Sequence, residues 1–337
     1  MNERWIYTYD YAPGSIWEPW RDEVYANGGL DEDGVPLWLE PEAQAVAERV
    51  AKAANGRLLC SYLLLADSHF TYNGTWEDTV ESMRAVASAL DEKSIRLHRI
   101  IHLGDLTDGL LPKEKTDEIE QACIRDMERI LTADALHLVP GNHDYNYFRG
   151  NPDIKYPTTP QYYIDEPKQR LRLIFLDSFD PKEQFRYGFS EYCIHWLDAV
   201  FHLMPKDYAA IIFSHVPPLV RLQAWTDNIR NRQKLMPVLD HYADRILAFI
   251  NGHNHCDHLF NDLHNGKFPI ISINCAKCEY FTEHKPKGAV VPFRRLGEWT
   301  QESFDIMQVD VDRREIYFTR FGAGSDRLVR NGMAQWV

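Results

Sequence analysis

Asp, Asn and His recur at the ends of apolar runs: Asp67-Ser-His69, Gly104-Asp105-Leu-Thr-Asp108, Gly141-Asn142-His143-Asp144, Ser214-His215 and Gly252-His253-Asn-His255. Carboxylate, amide and imidazole all donate to divalent ions of borderline hardness, and an imidazole not engaged in that way can pass a proton. Taken singly, each stretch reads as easily as a polar turn capping a helix. Five in succession, with no bulky apolar residue at a ligand position, do not. Asp67 and His69 are two residues apart, as are His253 and His255, a spacing that sets both side chains of a pair on one side of an extended strand end. With a shared carboxylate at Asp105, two such pairs are ligands enough for two ions.

The elements that must position these residues follow from the patterning. Residues 58–66, 99–103, 135–140, 170–177, 209–213 and 245–250 are short apolar runs bounded by turn signals, as expected of strands covered on both faces. Helical stripes lie between them. Ala43, Val46, Ala47, Val50 and Ala54 follow Pro41 and stop at Asn55-Gly56; Val80, Met83, Ala87 and Leu90 follow a Thr75–Asp78 capping pair. Further stripes are Ile119, Cys123, Met127 and Ile130, then Ile194, Leu197, Val200 and Phe201 within 190–203, and Leu235, Val238, Leu239 and Tyr242.

This alternation predicts a parallel sheet with right-handed crossovers, and such sheets bind ligands at the carboxyl ends of their strands. Residues 268–274, 303–311 and 315–321 predict antiparallel strands, the last two a hairpin around Asp312-Arg-Arg. Residues 145–163 read as a loop over the site. The first 40 or so residues are dense in Trp and Tyr and lack a sustained period, which suits an irregular segment laid over a core. We therefore expect residues 1–55 to be an aromatic-rich extension and helix packed on a single domain over 56–337.

Composition narrows the function. The 337 residues are 45% hydrophobic and 26% charged, an ordinary globular balance, and the net charge of −13 disfavours a nucleic-acid partner. No apolar run of about eighteen residues is present to span a membrane, and the N-terminus lacks the basic-then-apolar pattern of a signal peptide, so a cytoplasmic location is the default expectation. The six cysteines are too sparse and irregular for a disulfide framework. Cys275-Ala-Lys-Cys278 lacks the second pair a structural zinc needs, so the cysteines read as buried thiols.

Taken in order, D-x-H, G-D-x-x-D, G-N-H-D, S-H and G-H-x-H resemble the motifs of the calcineurin-like metallophosphoesterase superfamily, over residues 58 to about 275. The resemblance implies an α/β (α+β) fold, a four-layer αββα sandwich of two mixed β-sheets flanked by helices. It also implies two divalent or mixed-valence metal ions (Mn, Fe or Zn). Asp67, His69 and His255 would hold one ion, Asn142, His215 and His253 the other, and Asp105 would bridge them. His143 matches the family's catalytic histidine, with Asp144 fixing its tautomer, and Asp108 matches the second acid of G-D-x-x-D. Protein phosphatases of the superfamily carry Arg directly after that acid; Gly109 stands here instead, a departure from that branch.

The implied reaction is hydrolysis of phosphate mono- or diesters by in-line attack of a metal-bridging hydroxide, with His143 protonating the leaving oxygen or stabilising charge in the transition state. A small phosphorylated molecule is then the expected partner. Two alternatives are a catalytically silent scaffold, which would have lost ligands where this chain has lost none, and a metal-dependent DNA nuclease, which the acidic charge disfavours. Arg149, Arg221, Arg230, Arg232, Arg294 and Arg295 lie in loops that could reach a phosphate.

Overall fold

Strand β1 (Cys60–Leu65) is buried at every residue, as a strand needs to be when both its faces are covered. Leu63 and Leu65 face one apolar cluster, and Cys60, Tyr62 and Leu64 face another on the opposite side of the sheet. That alternation defines the layers. The structure, a computed structural model, describes residues 18–70, 75–145, 161–261 and 267–337. Trp5, Tyr7, Tyr9, Tyr11 and Trp17, the side chain of Trp20, and residues 146–160 of the expected loop lie outside the described residues.

In the first sheet, β1 runs parallel to β2 (Leu97–His102), which runs parallel to β3 (Leu136–Leu138). On its other edge β1 pairs antiparallel with β10 (Ser303–Asp310), and β11 (Glu315–Gly322), β12 (Arg327–Arg330) and β13 (Met333–Trp336) continue as a meander. The second sheet has the order β4-β5-β6-β7-β9-β8, formed by Tyr162–Glu166, Leu171–Leu176, Ala209–Ser214, Ile246–Asn251, Ile270–Ser272 and His258–Phe260 respectively.

Helices α2 (Leu39–Ala54), α3 (Trp76–Glu92) and α4 (Lys113–Glu128) cover the first sheet, and α5 (Glu191–Leu203) and α6 (Arg232–His241) cover the second. The middle apolar cluster lies between the sheets. The result is the expected four-layer arrangement of two mixed sheets flanked by helices. No described helix is long and apolar enough to cross a membrane.

Several local expectations are corrected. Strand β9 was expected to be antiparallel, but it pairs in parallel with β7 and takes its antiparallel partner from β8. Strands β4, β8, β12 and β13 were not foreseen, because each is three to five residues long and mixed in polarity. Thr75 makes no side-chain cap at α3. Asp78 is instead claimed by Tyr25 Oη at 3.0 Å, Arg21 Nε at 3.1 Å and Gln301 Nε2 at 3.0 Å, which ties it to the short helix α1 (Glu18–Tyr25). Ser190, by contrast, does cap α5, its side chain accepting from Cys193 N at 3.0 Å.

A buried ion-pair network joins the two sheets. Arg320 meets Asp257 at 2.6 Å and Asp305 at 3.0 Å, and Arg327 meets Asp305 at 2.5 Å. Asp257 lies two residues beyond His255, so arginines of β11 and β12 hold the end of a motif loop that belongs to the second sheet.

Candidate metal centre

Every motif loop follows the carboxyl end of a strand. The loops after β1, β2 and β3 carry Asp67, His69, Asp105, Asn142 and His143, and those after β6 and β7 carry His215, His253 and His255. The pairs two residues apart do not, however, project from extended backbone as expected. Asp67, His69, Asp105, His253 and His255 all have positive φ, between 41° and 68°. For residues other than Gly this costs about 1 kcal/mol or more each. The turns persist because their N–H groups are held: Asp67 N on Gly104 O at 2.9 Å, His69 N on Asp105 O at 3.1 Å, His253 N on Asp67 Oδ2 at 2.9 Å.

Two glycines make room for this packing. A Cβ on Gly141 would lie 2.2 Å from Asp105 Oδ1, and one on Gly109, at φ +61°, would lie 2.3 Å from the carbonyl of His143. The residue that departs from the protein-phosphatase pattern is therefore the one this backbone accepts.

The expected ligand atoms converge in two groups. His69 Nε2 is 3.1 Å from His255 Nε2, which is 3.6 Å from Asp67 Oδ1. Nearby, His215 Nε2 is 3.1 Å from Asn142 Oδ1 and 3.2 Å from His253 Nδ1. Asp105 Oδ2 lies between the groups, 3.2 Å from His215 Nε2 and 3.6 Å from His69 Nε2, while Asp105 Oδ1 accepts from His143 N at 2.8 Å. All seven of these side chains are buried.

The donor set fits cations. His215 Nδ1 donates to the carbonyl of Leu103 at 2.7 Å, so Nε2 of a neutral ring is a lone pair, and it faces the oxygens of Asp105 and Asn142. His255 repeats the pattern, with Nδ1 on Glu279 Oε1 at 2.8 Å and Nε2 facing Asp67. Lone pairs meeting lone pairs in a buried site call for a positive charge between them. The field shows the same demand. Burial pushes His215 and His255 down, but Asp105 in the first case and Glu279 in the second, with Asp67 in both, outweigh it and bring each to about 9. Burial and neighbouring imidazoles hold His69 and His253 well below the ordinary histidine range.

Asp144 requires a correction. Expected to fix the tautomer of His143, its carboxylate accepts main-chain N–H groups: Gly141 at 2.7 Å, Asp105 at 2.8 Å and Leu106 at 2.8 Å. His143 Nδ1 donates at 2.5 Å to the carbonyl of Asp108, whose own carboxylate accepts from Leu110 N at 2.9 Å. The tautomer is thus set by a backbone carbonyl, which no motif encodes. Arg294, expected in a reaching loop, is buried and donates to the carbonyls of Cys275, Ala276 and Thr300. Arg149 lies outside the described residues.

Sequence reasoning missed Glu279. It follows the C-x-x-C stretch that was read only for its thiols, and nothing marks an isolated Glu as the partner of a histidine 24 residues earlier. Of the thiols themselves, five are buried and none is in a disulfide. Cys275 groups with His255 and Glu279, their ligand atoms within 4.8 Å of one another, but burial pushes its thiol up and the S–H donates to Lys277 O at 3.2 Å.

The sequence matches the model of the family described as calcineurin-like phosphoesterase over residues 61–257. No curated protein matches it. Among solved structures, a dimetal phosphatase from Danio rerio is similar at 16% identity and a TM-score of 0.53, over 81% of this chain and 99% of that one. GAP50, the anchor in the inner membrane complex of Plasmodium, is similar at 12% identity and a TM-score of 0.52, over 83% of this chain and 89% of its own. At such identities the likeness is one of fold. The family match, however, takes in all five motif loops and more than half of the chain, and on that basis the protein belongs to the calcineurin-like phosphoesterases, a family of metal-dependent enzymes.

Proposed function

We propose that this chain hydrolyses phosphate esters of small molecules at a dinuclear centre. Asp67, His69 and His255 would hold one ion, Asn142, His215 and His253 the other, and Asp105 would serve both. The observation that carries this reading is the single oxygen Asp105 Oδ2, within 3.6 Å of an imidazole nitrogen of each group. The chemistry such a pair of divalent ions (Mn, Fe or Zn) would supply, when bound, is neutralisation of phosphoryl charge and acidification of water for in-line attack on phosphorus.

The remaining roles fall to side chains of the protein. His143 keeps one proton on Nδ1 through Asp108 O, so the proton that the doubly protonated ring would pass to the departing oxygen leaves from Nε2. Its ring lies edge-on to His69, 4.7 Å between centroids, which sets it beside the bridging position. Asp108 orients His143 through its carbonyl, Asp144 fixes the turn that presents Asp105, and Glu279 aims Nε2 of His255.

The test combines metal content with turnover. The parent is expected to bind two ions and to hydrolyse p-nitrophenyl phosphate or its bis-ester in a reaction that a chelator abolishes. Asp105→Asn should lower occupancy of both ions together, and Asp67→Asn chiefly that of one. Asp105→Asn binding two ions as the parent does, or a metal-loaded parent that hydrolyses neither ester, overturns the proposal.

A further inference from the structure

Beside His255 stands a group of side chains that the reaction chemistry does not use. Trp225 and Phe281 lie with ring planes 9° apart and centroids 5.5 Å apart, and the Trp225 ring is 6.4 Å from that of His255. Lys285 Nζ sits 5.0 Å from the Trp225 centroid and 5.1 Å from that of Phe281. Despite this stacking, 44% of Trp225 remains exposed. Tyr280, which follows Glu279 directly, and Phe293 form a second, edge-on pair 5.2 Å apart, and they are 54% and 59% exposed.

The group is fastened to the metal-centre loop by hydrogen bonds. Trp225 Nε1 donates to His253 O at 3.0 Å, Lys285 Nζ to Asn254 O at 2.7 Å, and Ala224 N to Asn254 Oδ1 at 3.0 Å. A partly exposed indole is thus tied to the backbone between the imidazoles of His253 and His255. A cation above two parallel rings also favours electron-rich π systems and anions. The chain carries a net charge of −13, and Lys285 sets a positive charge against this partly exposed aromatic pair beside His255.

Resting on the hydrolase reading above, we infer that Trp225, Phe281 and Lys285 form the subsite for the alcohol side of the substrate, and that this side carries a planar aromatic ring. Two sources share that chemistry: a nucleobase on a ribose phosphate and a simple aryl group on a short alcohol. A ring stacked on Trp225 places its phosphate toward His255 and its electron-rich face or neighbouring hydroxyls under Lys285.

The test uses phosphonates, which have no ester bond to cleave, with the metal-loaded full chain. Calorimetry compares the phosphonate analogue of AMP with that of ribose 5-phosphate, and benzylphosphonate with ethylphosphonate. The parent should bind the ring-bearing member of at least one pair about tenfold more tightly, the size expected of base or aryl stacking on an aromatic side chain. Preference in the first pair alone identifies a nucleobase, and preference in the second alone a simple aryl group. Trp225→Leu should bring the ratio near one, and Lys285→Met should lower it about threefold. Trp225→Phe, which keeps a ring and loses the bond to His253 O, should retain most of the preference, separating stacking from loop support. A parent ratio near one in both pairs, or variants that weaken both members equally, overturns the subsite while ester hydrolysis still stands. Failure of the parent to bind any phosphonate or hydrolyse any nitrophenyl ester overturns the hydrolase reading and the subsite with it.

Discussion

Glu279 stands between His255 and Lys277: one carboxylate oxygen accepts from His255 Nδ1 at 2.8 Å, and the other lies 2.8 Å from Lys277 Nζ. The His255 ring and Lys277 hold the carboxyl well below the ordinary range against its burial, so it stays ionised and keeps the imidazole's proton on Nδ1. Glu279→Gln should therefore weaken metal binding about 10- to 100-fold at the position served by His255. Metal titration of the variant checks this. Equal weakening at both positions would show that Glu279 supports the loop as a whole and not one ligand.

His143→Gln should retain metal and lose roughly 10²- to 10⁴-fold in kcat. The loss should depend on the leaving group. An alkyl phosphate, whose alkoxide needs the proton, should lose several times more rate than a nitrophenyl ester. Equal losses with metal intact would make His143 an electrostatic or positioning residue.

Asp144→Ala strands three buried N–H donors, those of Gly141, Asp105 and Leu106. At about 1 kcal/mol or more for each unsatisfied donor, the variant should lose roughly 3 kcal/mol or more of stability. Denaturant unfolding of chelator-treated protein measures this apart from metal binding. A variant as stable as the parent would return Asp144 to the catalytic role first expected of it.

Glu302 is fully buried, and burial, with help from Asp78, raises its pKa from 4.5 to about 7. The folded value lies above the unfolded one, so the associated stability is full below pH 4.5 and is lost as pH rises through about 7. The loss is on the order of 3 kcal/mol. Glu302→Gln removes the ionisation, so it should raise Tm at pH 8 and flatten the decline between pH 5 and 8. Parallel Tm profiles for parent and variant would contradict this.

The Tyr25 and Arg21 contacts with Asp78 and the buried stripe of α2 lead us to propose that residues 18–55 are part of one folding unit with the rest. Removing residues 1–40 should lower Tm, since Tyr25 is 4% exposed and Asp78 would lose two of its partners. An unchanged Tm would make the segment an appendage.

What could be read from the sequence was what repeats along it. Apolar runs ending in Asp, Asn or His disclosed five strands and the residues at their ends, because a buried strand has few compositional choices and a ligand fewer. Short mixed strands such as β4 and β8 were hidden, since three to five residues of mixed polarity match many loops. The partners of the ligands were hidden for another reason. The Asp108 carbonyl that holds His143 has no side-chain signature, and Glu279 is joined to His255 only by the fold. The left-handed turns at Asp67 and His253 were missed because two-residue spacing says nothing of φ.

The proposed ligands come from two sheets: four follow β1, β2 and β3, and three follow β6 and β7. In mechanical terms, any ions held there are rivets between plates that also adhere through apolar side chains and through polar links such as the Arg320–Asp257 and Arg99–Glu166 pairs. Metal status and rigidity of the whole body are then one variable. A chelator should lower Tm and broaden amide exchange at the inner faces of both sheets at once, and a cell short of metal would hold a protein not only idle but easier to pull apart and degrade.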